Sequence, residues 1–137
     1  LHLSLRRQRQ MRIRDRSRED YLENLLILET RSGGFVRQVD MASRMGFSKA
    51  SISKAMSSLS AEGYVEFRPR GLVRLSNGGR KIAERVYDRH CFFFKVLTNL
   101  GIPTEIAQRD ACRMEHAMSE ESYQALKKEL SSKMDVQ

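Results

Sequence analysis

The sequence is poor in several residue types that mark other classes of protein. It has no tryptophan, two prolines and two cysteines in 137 residues, and 40% of it is hydrophobic. This composition favours a helical globular protein over a disordered one. The longest fully apolar runs, Leu25–Leu28 and Cys91–Phe94, are far shorter than the about 20 residues of a membrane span, and no signal-peptide core follows the N-terminus. We therefore expect a cytoplasmic protein without membrane contact, in which Cys91 and Cys112 are reduced thiols.

The net charge of +8 is distributed unevenly along the chain. Residues 1–18 carry +6 and residues 19–30 carry −4, whereas residues 31–89 carry +7 and residues 90–137 carry −1. A basic middle beside a nearly neutral end favours a polyanionic partner for the middle and a separate role for the end. A solvated basic surface is the alternative when charge is considered alone. The first 17 residues lack a sustained apolar face, and we interpret them as a mobile basic arm.

The residues after this arm predict a helix-turn-helix. Good helix formers span Asp20–Arg31 and are followed by a short helix over Arg37–Met45. Ser48 is placed to cap a second short helix, Lys49–Glu62, which ends before Gly63. The apolar side chains of that second helix recur at helical spacing, so we expect burial of Ile52, Met56 and Leu59.

A short hairpin with a basic tip follows the two helices. Tyr64–Arg68 and Leu72–Leu75 alternate like strands, and Pro69–Gly71 suits the turn between them. Two short helices and such a hairpin predict a winged helix-turn-helix with a two-stranded wing, because a wing lies along DNA phosphates and needs positive charge there. The candidate contacts to double-stranded DNA are Ser48, Lys49, Ala50, Ser51, Ser53 and Lys54 on the second helix, and Arg68, Arg70 and Arg74 on the wing.

Three further helices are predicted in the remainder of the chain. The first spans Asn77–Leu100, the second is opened by Pro103, and the third is capped by Ser119 and runs to about Leu130. The apolar stripe of the first is larger than a small domain needs, which favours a homodimer on a palindromic operator. We thus expect a mainly α protein with a mobile arm (1–17), a winged helix-turn-helix (18–76) and an all-helical dimerisation domain (77–137), the stripe being Ile82, Val86, Phe93, Leu97 and Leu100.

Several side chains of the types that bind first-row divalent metals share helix faces. Cys112, Glu115 and His116 are spaced i, i+3 and i+4, so that they leave one face of a helix. Each also has an ordinary interpretation, since a lone histidine is more often a hydrogen-bonded core residue and a lone cysteine a small buried hydrophobe. The candidate ligand set comprises Asp20 and Glu23 at i, i+3 on the first helix, His90 within the apolar stripe, and Cys112, Glu115 and His116.

Four segments, taken together, resemble a known family. DYLENLLILE, GFSKASISKAMSSLSAEGYVE, GLVRLSNGGRKIAERVYDRH and DACRMEHAMSEES are similar, in one order and spacing, to the diphtheria-toxin-repressor family of metal-dependent regulators. The resemblance covers about Asp20 to Leu130. We expect no SH3-like domain of the kind that the iron-sensing members have, because the chain is closer in length to the manganese transport regulator branch. The resemblance implies a homodimer that binds metal between its domains and represses metal-uptake genes, with no small-molecule substrate.

The resemblance also implies which residues bind the metal. Asp20, Glu23, His90, Glu115 and His116 match ligand positions of the manganese branch, whereas Cys112 replaces a glutamate there and matches the iron branch. An ancillary site of the iron branch is not expected, because Phe94 and Gln108 stand where it needs a carboxylate and a histidine. One soft thiolate among harder ligands leaves Fe(II) and Mn(II) both open, with Co(II) and Zn(II) possible.

Two other functions are compatible with parts of the sequence. A redox-sensing winged-helix regulator would use Cys91 and Cys112, although the two cysteines lie on different predicted helices. A small metalloenzyme is less well supported, because nothing in the sequence resembles a general base beside a substrate pocket.

Overall fold

The computed structural model describes the backbone of residues 2–134 and the side chains of residues 17–134. By packing, the chain divides into two compact units, Leu1–Glu84 and Arg85–Gln137. The division falls within a helix, whereas the sequence places the domain boundary at residues 76 and 77, which stays a prediction. Most side chains of the predicted mobile arm lie outside the described residues.

Helix α1 (His2–Ser32) is far longer than predicted. The expected start at Asp20 is wrong, because the chain contains no glycine or proline before Gly33 and its many arginines and glutamines are good helix formers. Arg18 anchors α1 within the N-terminal unit, since its guanidinium lies 3.0 Å from Glu62 Oε2 and over the ring of Tyr64. Helix propensity therefore accounts for the part of α1 before Asp20, where the sequence has no sustained apolar face.

The predicted helix-turn-helix is confirmed. It consists of α2 (Gln38–Met45) and α3 (Lys49–Ala61), and the turn between them begins with Gly46 at φ 71°, a left-handed conformation that glycine adopts without steric cost. Ser48 caps α3 as expected, because its Oγ accepts a hydrogen bond from the Ser51 backbone N–H at 3.1 Å.

The wing is part of a three-stranded antiparallel sheet instead of the predicted two-stranded hairpin. Strands β2 (Val65–Arg68) and β3 (Leu72–Leu75) form the expected hairpin, and β1 (Val36–Arg37) pairs with the other edge of β3. A two-residue strand is too short to show alternation, so β1 leaves no signal in the sequence. Gln38 joins α2 to the tip of the wing by donating from Nε2 to the Gly71 carbonyl at 2.9 Å.

One apolar core joins α1, the helix-turn-helix and the sheet. The predicted burial of the inner face of α3 is confirmed, with Ile52 and Met56 fully buried and Leu59 4% exposed. Because these elements share one core, they form a single packed unit. The other members of this core are Leu22, Leu25, Val36, Met41, Ala42, Val65, Val73, Leu75 and Ala83.

The C-terminal unit begins at Arg85, within helix α4 (Asn77–Asn99). It also contains α5 (Thr104–Met114) and α6 (Glu120–Met134). Pro103 is the N-cap of α5, which begins at Thr104, whereas the sequence predicted Pro103 as the first residue of this helix. Of the described side chains, Tyr123 is the largest that is fully buried, and it packs with the rings of Phe92 and Phe93. Among the described residues, none of the helices combines the length and apolar character needed to cross a bilayer.

The start of α4 approaches β2 so closely that Gly79 has no room for a side chain. A Cβ atom at Gly79 would lie 2.0 Å from the Tyr64 carbonyl oxygen, whereas one at Gly78 would have no neighbour nearer than 3.9 Å. Ser76 holds this approach, because its Oγ donates to the Gly63 carbonyl at 2.6 Å and accepts from the Gly79 N–H.

Gly79→Ala should therefore lower the free energy of unfolding by about 1–3 kcal/mol, since the clash is with backbone. Gly78→Ala is the matched control and should be neutral or stabilising by up to about 1 kcal/mol, because alanine favours helix. Urea denaturation of both variants measures the difference. Equal stability of the two variants would contradict the close approach.

Candidate metal centre and DNA-binding surface

A thiol, an imidazole and a carboxylate converge in the C-terminal unit. His90 of α4, Cys112 in the last turn of α5 and Glu115 at its C-cap each direct a donor atom to a point where all three atoms lie within 4.8 Å of one another. Nδ1 of His90 is 2.8 Å from Glu115 Oε2 and 3.6 Å from Cys112 Sγ. Such a set of donors fits a first-row divalent cation.

His116 extends this cluster on the other side of Glu115. Its Nε2 lies 3.2 Å from Glu115 Oε1, so the Glu115 carboxylate contacts two imidazole rings, one at each oxygen. The Glu115 side chain is fully buried, and a buried carboxylate is stable only when charged or hydrogen-bonding groups compensate for the lost water. The prediction that Cys112, Glu115 and His116 share one helix is wrong at its end, because α5 stops at Met114. Glu115 is the C-cap, and its N–H still donates to the Ala111 carbonyl at 3.0 Å, whereas His116 lies in the turn that follows.

The ring of His90 is held from three directions. Hydrogen bonds with Cys112 and then with Glu115 raise the pKa of His90 to about 11, although its partial burial opposes the shift. Its Nε2 lies 2.6 Å from Gln108 Oε1, and the ring of Phe94 is nearly parallel to it at 6.5 Å. The sequence indicated only that Phe94 and Gln108 replace residues needed for an ancillary metal site. Their contacts with His90 were not predicted.

The remaining predicted ligands, Asp20 and Glu23, lie on α1 in the N-terminal unit. The Asp20 carbonyl accepts a hydrogen bond from Asn24 Nδ2 at 2.7 Å, and Asn24 Oδ1 accepts one from Arg44 of α2 at 2.8 Å. The turn of α1 that carries Asp20 is thus connected to the helix-turn-helix. The two carboxylates stay predicted ligands.

The outer face of α3 presents the residues predicted to contact DNA. All six predicted positions on this segment are exposed, and Lys49 and Lys54 supply its positive charge. The hydroxyl of Ser48 serves mainly as the cap, which fixes the position of the first turn. This face is formed by Ser48, Lys49, Ala50, Ser51, Ser53 and Lys54.

The three wing arginines have different surroundings. Arg74 donates from Nε to Glu66 Oε1 at 2.8 Å, and Arg68 lies 3.7 Å from the same oxygen. The hydrogen bond from Arg74 and the positive charges of Arg74 and Arg68 lower the pKa of the Glu66 carboxyl, and the hydrogen bond has the largest effect. Both guanidinium groups also lie 5.6 Å from the ring of Phe35. Arg70 is exposed at the tip of the wing with φ 66°.

Comparison with known proteins identifies the two halves of the chain. Residues 15–73 match the N-terminal DNA-binding domain of iron-dependent repressors, and residues 76–133 match their metal-binding and dimerisation domain. The chain is 39% identical over 109 residues to the transcriptional regulator MntR of Escherichia coli O6:H1, covering 80% of this chain and 70% of that protein. The chain belongs to the iron-dependent repressor family.

Further similarities agree with this assignment. The repressor is 34% identical over 104 residues to the HTH-type transcriptional regulator MntR of Geobacillus kaustophilus, covering 75% of this chain and 72% of that protein. A manganese-dependent transcriptional repressor solved in complex with manganese superposes with a TM-score of 0.70 at 26% identity, covering 83% of this chain and 52% of that one. The repressor spans about half the length of that structure.

Membership decides between the functions that the sequence left open. The repressor is a metal-dependent DNA-binding transcriptional regulator and not an enzyme, with iron or manganese as the family's metals. The redox-sensor alternative gains no support from these similarities, and Cys112 lies within a cluster of side chains that could hold a metal ion.

The raised pKa of His90 in the metal-free repressor can be tested by comparing the wild-type protein with the Glu115→Gln variant. Its imidazole should remain protonated through neutral pH, and Glu115→Gln should lower its pKa because the charge that stabilises the imidazolium is removed. The folded-state pKa lies above the ordinary value of about 6.5, so the His90 contribution to stability is complete below that pH and is lost as the pH rises through the folded-state pKa. NMR titration of the ring protons measures the shift.

Glu129→Gln, which alters an exposed glutamate on α6, is the matched control and should leave the titration of His90 unchanged. A wild-type pKa near 6.5, equal to that of Glu115→Gln, would show that the cluster does not hold the proton.

Proposed function

We propose that the repressor senses Fe(II) or Mn(II) through six side chains and represses genes for uptake of that metal. The observation that carries the proposal is the convergence of His90, Cys112 and Glu115 donor atoms within 4.8 Å in the C-terminal unit. Cys112 makes the donor set softer than an all-carboxylate one, which favours Fe(II) over Mn(II) in this proposal. The proposed ligands are Asp20, Glu23, His90, Cys112, Glu115 and His116.

The N-terminal ligands would make DNA binding depend on metal because α1 and the recognition helix α3 move together. Leu22 and Leu25, which neighbour Glu23 on α1, are fully buried in the same core as Ile52 of α3. Any force on the carboxylates of α1 is therefore transmitted to α3 through close-packed side chains. A bound divalent cation would supply the attraction that draws carboxylates from both units to one point.

A homodimer on a palindromic operator is the second part of the proposal. The C-terminal unit matches a dimerisation domain, and it exposes apolar side chains, with Leu100 73%, Ile106 45% and Tyr87 41% exposed. Exposed apolar groups of this size favour contact with another surface. In the dimer, metal would fix the two recognition helices at a separation that suits half-sites one DNA turn apart.

The DNA surface is tested with a duplex selected from a random pool in the presence of Mn(II). Lys54→Ala should cost about 1–3 kcal/mol of binding free energy and relax sequence preference if Lys54 contacts a base edge. Arg70→Ala should weaken binding to all sequences alike and reduce the salt dependence by about one phosphate contact. Fluorescence anisotropy at several salt concentrations measures both effects.

The matched control removes the same charge elsewhere. Lys133→Ala alters an exposed lysine on α6 that pairs with Glu129, and it should leave DNA affinity unchanged. Unchanged affinity in both Lys54→Ala and Arg70→Ala would contradict the assignment of this surface.

The metal centre is tested by separating metal response from fold. Glu115→Ala and His116→Ala should abolish metal-dependent DNA binding while the repressor stays folded and dimeric, because each removes one donor. Cys112→Glu should retain activation and shift preference from Co(II) towards Mn(II), since it exchanges a soft donor for a hard one. Anisotropy titrations with Mn(II) and Co(II) compare the variants. A Glu115→Ala repressor with the full metal response would overturn the proposed ligand set.

A further inference from the structure

A buried arginine lies beside the metal centre without belonging to its donors. Arg89 directly precedes His90 on α4 and is 7% exposed. Its Nη1 donates to the Met118 carbonyl at 2.6 Å and to the Glu115 carbonyl at 3.3 Å, and its Nη2 donates to Glu120 Oε2 at 2.7 Å. Sequence reasoning gave no role to this residue, since an arginine on a basic helix is usually a solvated one.

The contacts of Arg89 lie at the connection between α5 and α6. The residues between Met114 and Glu120 form the turn that carries Glu115 and His116, and Arg89 bonds to main-chain oxygens at two of its positions. The guanidinium also packs over the ring of Tyr123 at 4.8 Å. A planar group with several fixed donors can hold two carbonyls and a carboxylate together, which a single-point ammonium does less well.

Two consecutive residues of α4 therefore act on the same cluster in different ways. His90 contributes a donor atom, whereas Arg89 holds the main chain of the turn from which Glu115 and His116 project. Burial of a guanidinium is unfavourable unless hydrogen bonds compensate for the lost water. The Arg89 Nε is buried without a hydrogen-bond partner among the described residues, so the bonds of Nη1 and Nη2 to three oxygens supply the compensation, and displacement of the turn would break them. The distances within the cluster then depend on Arg89 through the main chain of this turn.

We propose that Arg89 is a positioning residue that preorganises the C-terminal part of the metal centre before metal binds. The proposal rests on the proposed function of His90, Cys112 and Glu115 as ligands. Groups that orient metal ligands typically change affinity by roughly 10–100-fold when removed. The same guanidinium binds Glu120 at the start of α6, so the position of α6 also affects metal affinity through Arg89.

The chain offers a closely matched control in Lys127. Its Nζ joins the same two helices through Asp88 Oδ2 at 2.8 Å and lies over the same Tyr123 ring at 5.7 Å. The interactions described for Lys127 do not include the turn that carries Glu115. Lys127→Met therefore removes an ion pair and a cation–ring contact between α4 and α6 and leaves the carbonyl contacts of Arg89 in place.

The experiment compares Arg89→Met with Lys127→Met in the full chain, with Co(II) as the probe. Co(II) affinity is measured by competition with a chelator, thiolate ligation by the sulfur-to-cobalt charge-transfer band, and the stability of the metal-free protein by thermal unfolding. Arg89→Met should lose roughly 10–100-fold in Co(II) affinity and weaken the thiolate band. Lys127→Met should change both values little even where its Tm falls.

Each outcome has a distinct meaning. Equal Co(II) affinities of Arg89→Met and Lys127→Met would overturn the positioning role. Absence of Co(II) binding to the wild-type protein would instead overturn the proposed metal centre itself. If Arg89→Met does not fold, Arg89→Lys retains the charge and serves in its place; an affinity equal to wild type would then contradict the need for a guanidinium, and a loss greater than that of Lys127→Met would support it.

Discussion

The C-terminal unit is organised around a carboxylate that is fully buried between two imidazole rings. Glu115 has no exposed surface, and its two oxygens face His90 and His116. A buried negative charge is very costly in isolation, so the surrounding positive and hydrogen-bonding groups are a condition of the fold as well as of metal binding. The His90 Nδ1 lies 2.8 Å from Glu115 Oε2, and the raised pKa of His90 favours an imidazolium that would compensate the charge when metal is absent. The same compensation keeps the donor atoms together in a geometry that fits a divalent cation.

The N-terminal unit meets a different requirement, which is rigidity. A DNA-binding surface can depend on distant ligands only if the intervening structure does not deform, and the single core formed by α1, the helix-turn-helix and the sheet provides this. Local devices add to it. Ser48 caps the recognition helix, Gln38 joins α2 to the tip of the wing, and Ser76 holds the start of α4 against β2. The proposed metal-dependent regulation thus combines a rigid DNA-binding unit with a second unit that carries most of the proposed ligands.

Much of this fold is predictable from the sequence because it follows from local periodicity. The spacing of Ile52, Met56 and Leu59 identifies the inner face of α3, and the positions of Ser48 and Gly63 identify its ends. The family resemblance predicts the ligand positions, and the structure places donor atoms of His90, Cys112 and Glu115 within 4.8 Å of one another.

The remaining features could not be predicted because they depend on contacts between distant residues. Strand β1 is defined by its pairing with β3, and Arg74 is defined by its bond to Glu66, neither of which has a pattern in the sequence. The length of α1 follows from the absence of helix breakers, which a search for amphipathic periodicity overlooks. The role of Arg89 requires knowledge of which carbonyl groups its side chain reaches.

The proposed function requires that metal binding and DNA binding are coupled through the repressor. Coupling between two ligands is reciprocal, so the factor by which metal tightens DNA binding must equal the factor by which DNA tightens metal binding. The most direct measurement is the Kd for Mn(II) and Co(II), determined calorimetrically with and without a saturating duplex selected in the presence of metal. We expect the duplex to lower the metal Kd by about 5–150-fold, equal to the change in DNA affinity. A metal Kd that is the same with and without DNA would contradict it.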